Sequence, residues 1–203
     1  MLRRAVLLAA AVSLLTAPAA LTQARGLSTN PADSPAGTYK LDPRHTTVAA
    51  QVSHFGLSNY TFLMRGVSGE IAFNPKQPTA SAVRVAIDPK SVDTGLPDFD
   101  QKIGTDERFF AGKPITFVSR SLEQTAPTKG RLTGDLTLNG VTRPVTLDVT
   151  FNGGAPVMNG VPTLGFSATG AIKRSDFKVA GYLPPQVVGE EVRITIEAEF
   201  NKA

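Results

Sequence analysis

The chain carries two histidines, His45 and His54, and no cysteine. A metal centre shared by the two imidazoles is the sharpest chemistry these residue types suggest. On one unbroken strand their odd separation sends the rings to opposite faces, and no third nitrogen or sulfur ligand follows at zinc-like spacing. Each histidine is therefore read as a hydrogen-bonding residue at a strand end with no metal bound, and His54 as a candidate contact for a ligand head group. The acidic pairs Asp98 with Asp100 and Asp106 with Glu107 could supply an acid and a base, as in glycoside hydrolysis. Their closeness in sequence fits a solvated helix face or an N-cap better. No Gly-x-Ser-x-Gly elbow occurs, and Gly112-Lys113 is followed by Pro114 where a phosphate loop needs Ser or Thr. The absence of cysteine removes disulfides, thiolate nucleophiles and Cys-ligated metal clusters. The expectation is a protein that is not an enzyme and needs no cofactor.

The elements that position these residues repeat with a period of two. Val48, Ala50 and Val52 alternate with Thr47, Ala49 and Gln51, and Val83, Val85 and Ile87 with Arg84, Ala86 and Asp88. The pattern returns in Val67, Ile71 and Phe73, in Ile115, Phe117 and Ser119, and in Leu132, Gly134, Leu136 and Leu138. It continues through Val145, Leu147, Val149 and Phe151, then Leu164, Phe166, Ala168, Gly170 and Ile172, and ends with Val192, Ile194, Ile196, Ala198 and Phe200. Each set places apolar side chains on one face of a half-buried strand. Many Val, Thr and Phe in short runs, punctuated by 18 Gly and 15 Pro, fit strands and turns. The class is all-β, with roughly eight antiparallel strands. Asn139-Gly140 marks a hairpin, its loop lengthened by Val141-Thr142. Residues 98–110 are predicted as a short helix crossing one mouth, with acidic residues toward its N-terminus.

Such a sheet must pack on a second sheet or curl on itself. Periodicity alone admits a sandwich. Closure into a barrel is favoured by the small residues Ala50, Gly66, Ser119, Gly134, Ala168, Gly170 and Ala198 on the predicted inner face, which would leave room for a ligand; the alternative is that they ease bending or close packing. No charge falls on the predicted inner faces of residues 48–52, 83–87 or 164–172. A long neutral chain suits such a lumen, since one isoprene unit buried in it contributes roughly 3 kcal/mol.

Residues 1–24 have the parts of a secretory signal peptide: Arg3 and Arg4, an apolar run over residues 5–21, and small residues at Thr22-Gln23-Ala24. The run is short and Ala-rich for a transmembrane anchor. Cleavage near Arg25 would yield a periplasmic or secreted protein with no stable membrane insertion. Residues 25–37, rich in Ser, Thr, Asn, Pro and Gly, are read as a flexible leader, and residues 38–203 as one domain. The net charge is +4, half of it from Arg3 and Arg4, and the remaining basic residues form no stripe with aromatic ones, so nucleic acid is not an expected partner. A monomer or a homodimer is compatible with the sequence.

The string Gly134-Asp135-Leu136-Thr137-Leu138-Asn139-Gly140-Val141-Thr142, followed by Pro144-Val145, resembles the YceI-like family. Asp42 and His45, His54-Phe55-Gly56, residues 85–88, Ser91-Val92-Asp93-Thr94, Phe109-Phe110, Pro114-Ile115-Thr116-Phe117, Ser119 and Asp176-Phe177 stand in that family's order. The resemblance implies a lipocalin-like barrel holding a polyisoprenoid or isoprenoid-quinone type lipid. Lumen candidates are then Val48, Ala50, Val52, Val67, Ile71, Phe73, Val83, Val85, Ile87, Ile115, Phe117, Ser119, Leu136, Phe166, Ala168, Ile194 and Ile196. Mouth and head-group candidates are His54, Asp93, Thr94, Phe109 and Phe110, the two phenylalanines being core or lid. Lys102-Ile103-Gly104-Thr105 departs from the charged segment usual for the family, so the cover of the mouth is altered. A second class of function is an envelope stress-protection or interaction protein, with a structural rather than exchangeable lipid inside.

Overall fold

The computed structural model describes residues 26–157 and 160–203, and the signal read over residues 1–24 lies outside the described residues. The period-two runs form antiparallel strands: β1 (Gly37–Leu41), β2 (Thr47–His54), β3 (Ser58–Met64), β4 (Val67–Phe73), β5 (Ala82–Ile87), β6 (Val92–Asp93), β7 (Ile115–Ala126), β8 (Lys129–Leu138), β9 (Val141–Pro156), β10 (Pro162–Lys173) and β11 (Val188–Lys202). Neighbours run β1-β4-β5-β7-β8-β9-β10-β11, and β11 pairs again with β1, which closes an eight-stranded barrel.

The other three strands extend staves of this ring. Strand β11 pairs with β2 through residues 188–197 and with β1 through residues 200–202, so β1 and β2 are one stave interrupted at residues 42–46. Pro43 in the gap has no N–H to give a ladder. Strands β3 and β4 break at Arg65 and Gly66, and β5 and β6 at residues 88–91, and these two kinks lock together: Asp88 N–H donates to Gly66 O (2.9 Å) and Arg65 N–H to Ser91 O (3.1 Å). A Cβ on Gly66 would stand 2.8 Å from that of Ser91, so only glycine fits this crossing.

The Asn139-Gly140 turn takes the tightest hairpin form. Both residues have positive φ, and Leu138 pairs directly with Val141, so Val141 and Thr142 belong to β9 and do not lengthen the loop. Bulges shift the pattern where strict alternation was expected to continue. The β7–β8 register slips between Ser119 and Ser121, and Leu122, opposite Leu132, then takes the inner face.

One end of the barrel carries a chain of aromatic rings in edge or stacked contact, Tyr39 on Phe73, Phe73 on Phe151, Phe151 on Phe166 and Phe166 on Phe200, with centroids 5.4–6.1 Å apart. Residues 26–36, expected as a flexible leader, are built onto this end. On the β8 side of β9 the last bond runs from Phe151 N–H to Thr128 O (2.8 Å), and beyond it Ser28 takes the edge through two bonds with Gly154 (3.0 and 2.8 Å). Asn30 caps a 3-10 turn at Pro31–Asp33, and the fully buried Tyr39 donates its hydroxyl to Pro35 O at 2.6 Å. Burial pushes the Tyr39 phenol above its ordinary pKa. Polar leader residues find partners because a strand edge was left open.

The opposite end is crossed by α1 (Pro97–Thr105), shorter than residues 98–110, with Pro97 at its first turn. Ile103 and Gly104 are buried, and a Cβ on Gly104 would lie 2.8 Å from Pro89 O, so the altered segment packs closely on the kink of the third stave. Ala180 N–H donates to Arg108 O at 2.6 Å, joining the loop after β10 to the segment after α1.

Candidate functional site

The barrel encloses a cavity of about 270 Å³. Period-two geometry delivers most of its wall: Val48 and Ala50 from β2, Val67 and Ile71 from β4, Val83, Val85 and Ile87 from β5, and Ile115 and Phe117 from β7. Leu136, Phe166, Ala168, Ile194 and Ile196 complete the predicted lining that the structure brings together. Three lumen candidates do not line it. Val52, half-buried, pairs with Tyr60 and Val192, Phe73 stacks on Phe151, and Ser119 spends its hydroxyl accepting the Val83 N–H at 2.9 Å.

The small residues divide in role. Ala50, Ala168 and Ala198 border open space. Gly134 and Gly170 do not create any: a Cβ there would meet the Phe117 ring at 2.4 Å or Leu147 Cδ2 at 2.6 Å, so neighbouring side chains already fill the room. Gly66 serves the stave kink instead. Sequence reasoning passed over Phe62 and Met64 of β3, which line the cavity; the alternation of Tyr60, Phe62 and Met64 with Thr61 and Leu63 was the available signal.

Of the five mouth candidates only Phe110 reaches the cavity, where its ring meets Phe62 at 6.5 Å. Phe109 packs edge-on against Tyr182. His54 is exposed at the end of β2 with its ring against Phe55. Asp93 is bound to Arg65 at 2.9 Å, which holds its carboxyl below the ordinary range, and Thr94 donates its N–H and hydroxyl to Asp100 Oδ1 at 2.7 and 2.6 Å. Asp93 thus ends β6 in an ion pair, and Thr94 ties the segment before α1 to Asp100 within the helix. Asp106 pairs with Arg108, whose hydrogen bonds lower its pKa to about 2.

His54 ends β2, whereas His45 lies before that strand, in the interruption at residues 42–46. His45 instead meets residues distant in sequence: its Nδ1 lies 3.0 Å from Asp42 Oδ2 and 3.9 Å from Glu199. The three side chains offer ligand atoms within 4.8 Å of one another, a grouping made only by β11 returning beside β1. Asp42 is already engaged by His45, by the Arg44 N–H and by Asn201, which depress its pKa, while the same contact raises that of His45.

Among the described residues, the one ionisable side chain on the cavity wall, Arg174, was not foreseen. It is 3% exposed and donates to the carbonyls of Gly189, Val179, Ala180, Leu183 and Val188 at 2.6–3.3 Å, and it pairs with Glu190 Oε1 at 3.0 Å. It is the clasp of the loop between β10 and β11. Among the described residues two buried side-chain atoms, Tyr60 Oη and Glu190 Oε2, have no hydrogen-bond partner. Leaving such groups unpaired costs about 1–3 kcal/mol each.

A profile of the YceI-like domain matches residues 39–200. The chain belongs to the YceI-like family. "Protein YceI" of Salmonella arizonae is 34% identical over 168 residues, covering 81% of this chain and 86% of that one. The crystal structure of a Campylobacter jejuni YCEI protein superposes with a TM-score of 0.67 at 31% identity, over 74% of this chain and 90% of that one. A polyisoprenoid binding domain from Saccharophagus degradans shares the fold, with a TM-score of 0.58 at 16% identity over 81% of this chain and 98% of that domain.

Proposed function

We propose that this YceI-like barrel binds, stores or transports a long-chain apolar lipid, of polyisoprenoid or isoprenoid-quinone type, and catalyses no reaction. The observation that carries the reading is the cavity of about 270 Å³ within the barrel, whose wall is hydrocarbon apart from Thr46, Ser81 and Arg174. A dry apolar lumen rewards each buried methylene by about 0.8 kcal/mol, so a few isoprene units offset the ~4–15 kcal/mol cost of association. A solved domain of the same fold is described as a polyisoprenoid binding domain, which supports a ligand of that class. Binding rather than catalysis agrees with side chains at both barrel ends that are engaged in caps, ion pairs and loop clasps. The same reading includes export, on the signal character of residues 1–24.

Organic extraction and native mass spectrometry of the purified mature protein test it. A co-purifying long-chain lipid is the expected result, and an empty protein that takes up no apolar chain overturns the reading. N-terminal sequencing of the exported form is expected to begin near Arg25; an intact Met1 in an embedded product overturns the export part.

A further inference from the structure

Among the described residues five large apolar side chains are more than half exposed, and four of them, Phe55, Leu57, Leu96 and Tyr182, stand at the α1 end of the barrel. They come from three separate segments: the β2–β3 turn, the residue before α1, and the loop between β10 and β11. Contacts join these segments into one rim. Phe55 N–H donates to Val187 O at 2.9 Å, Tyr60 of β3 packs on Phe99 of α1 with centroids 5.9 Å apart, and Phe109 meets Tyr182 edge-on at 6.4 Å. Each segment also leads into the wall of the lumen, through Phe62 on β3, Phe110 after α1 and Val179 before Tyr182. The turn holds Phe55 at φ +52°, a left-handed conformation in which Asn or Gly is less strained than a bulky ring. Backbone strain is thus carried by a ring that faces water, beside Leu57 at 87% exposure.

We propose that this rim docks the protein on the surface of a lipid bilayer, with Phe55, Leu57, Leu96 and Tyr182 entering the boundary between head groups and acyl chains. That the docked protein exchanges an apolar chain between bilayer and lumen rests on the lipid-binding reading above; the docking itself does not. Two observations select a bilayer as the cover. The exposed side chains crown segments that lead into the lumen, so whatever covers them also covers the way in, and a bilayer does both while holding the apolar chains the lumen suits. The charges of the rim also cancel: residues 55–57, 94–114 and 174–187 carry five acidic and five basic side chains. A rim without net charge gains nothing from an anionic surface, and apolar insertion alone drives it onto a zwitterionic one. Aromatic and leucine side chains are the types that settle at that depth.

The chain has no tryptophan, so Leu57→Trp gives the rim a single reporter, and Val118→Trp, at an exposed position of β7, is its control. Each mature variant is titrated with phosphatidylcholine vesicles, with and without brominated acyl chains. Leu57→Trp emission is expected to shift to the blue and to fall by at least about half with the brominated chains, and Val118→Trp to do neither. Adding phosphatidylglycerol is expected to change the affinity by less than about threefold. Phe55→Asn combined with Leu96→Asn removes two tips and eases the strain at residue 55, and is expected to weaken vesicle binding at least about tenfold with no loss of melting temperature. Equal quenching of both reporters, or vesicle binding untouched by the double substitution, overturns the docking surface. So does a dimer in sedimentation that the double substitution dissolves, which would assign the rim to a second copy of the chain. A lipid-loaded protein that binds no vesicle overturns the docking alone, and a vesicle-bound protein that takes up no apolar chain overturns the lipid-binding reading and leaves the docking standing.

Discussion

Replacing Ala168 by Phe separates a ligand cavity from a packed core. Ala168 lies between Val149 of β9 and Ile196 of β11 and borders the open lumen. In a close-packed interior the added ring costs about 1–3 kcal/mol. Beside about 270 Å³ of open space it instead gains burial of roughly 1.5–3 kcal/mol, which offsets residual strain. Delipidated Ala168→Phe is then expected to melt within about 2–4 °C of the parent, the shift that goes with about 1 kcal/mol in a domain of this size. The ring takes the place of about five methylenes of the chain, or ~4 kcal/mol at about 0.8 each, so lipid affinity falls roughly a thousandfold. Thr169→Phe is the control, because Thr169 is exposed on the outer face. Thermal denaturation of delipidated protein and lipid quantification by mass spectrometry read both effects. Equal lipid content in Ala168→Phe and parent, or a melting temperature lower by more than about 6 °C without lipid, would refute the reasoning.

Gly134→Ala brings a Cβ to 2.4 Å from the Phe117 ring and 2.6 Å from Val118 O, and is expected to destabilise by about 1–3 kcal/mol in urea unfolding. Gly170→Ala meets chiefly the movable end of Leu147, so its loss should be smaller; the reverse order would contradict the packing described. Arg174→Lys cannot reproduce a guanidinium shared among five carbonyls and Glu190, and is expected to cost about 3–5 kcal/mol, with faster amide exchange across residues 178–190. The Asp42–His45 contact should give a bell-shaped pH dependence. His45, whose pKa is raised, stabilises fully below about pH 6.5 and loses that contribution as pH climbs through its folded value. Asp42, whose pKa is lowered, contributes above about pH 3.9 and loses its share as pH falls through its folded value. The urea-midpoint difference between parent and His45→Gln should therefore peak between those limits; a difference that widens in alkali would count against the pair.

The sequence by itself determined the barrel wall. Alternation along Val83, Val85 and Ile87 or Val192, Ile194 and Ile196 is a property of single strands, so the inner face was legible before any pairing was known. The Asn139-Gly140 turn was legible for the same reason, since positive φ at two successive residues is a local demand. Only tertiary structure decided where alternation stops lining the lumen, because the bulge after Ser119 and the kink at Gly66 arise from how neighbouring staves meet. It also decided that residues 26–36 are bound, since the open edge of β9 that Ser28 fills appears only once β8 has ended. The Arg174 clasp, the Asp42–His45–Glu199 grouping and the unpaired Tyr60 and Glu190 join residues from separate strands. Polar partnership of this kind has no sequence period, because it is set by which strand ends the closed ring brings side by side.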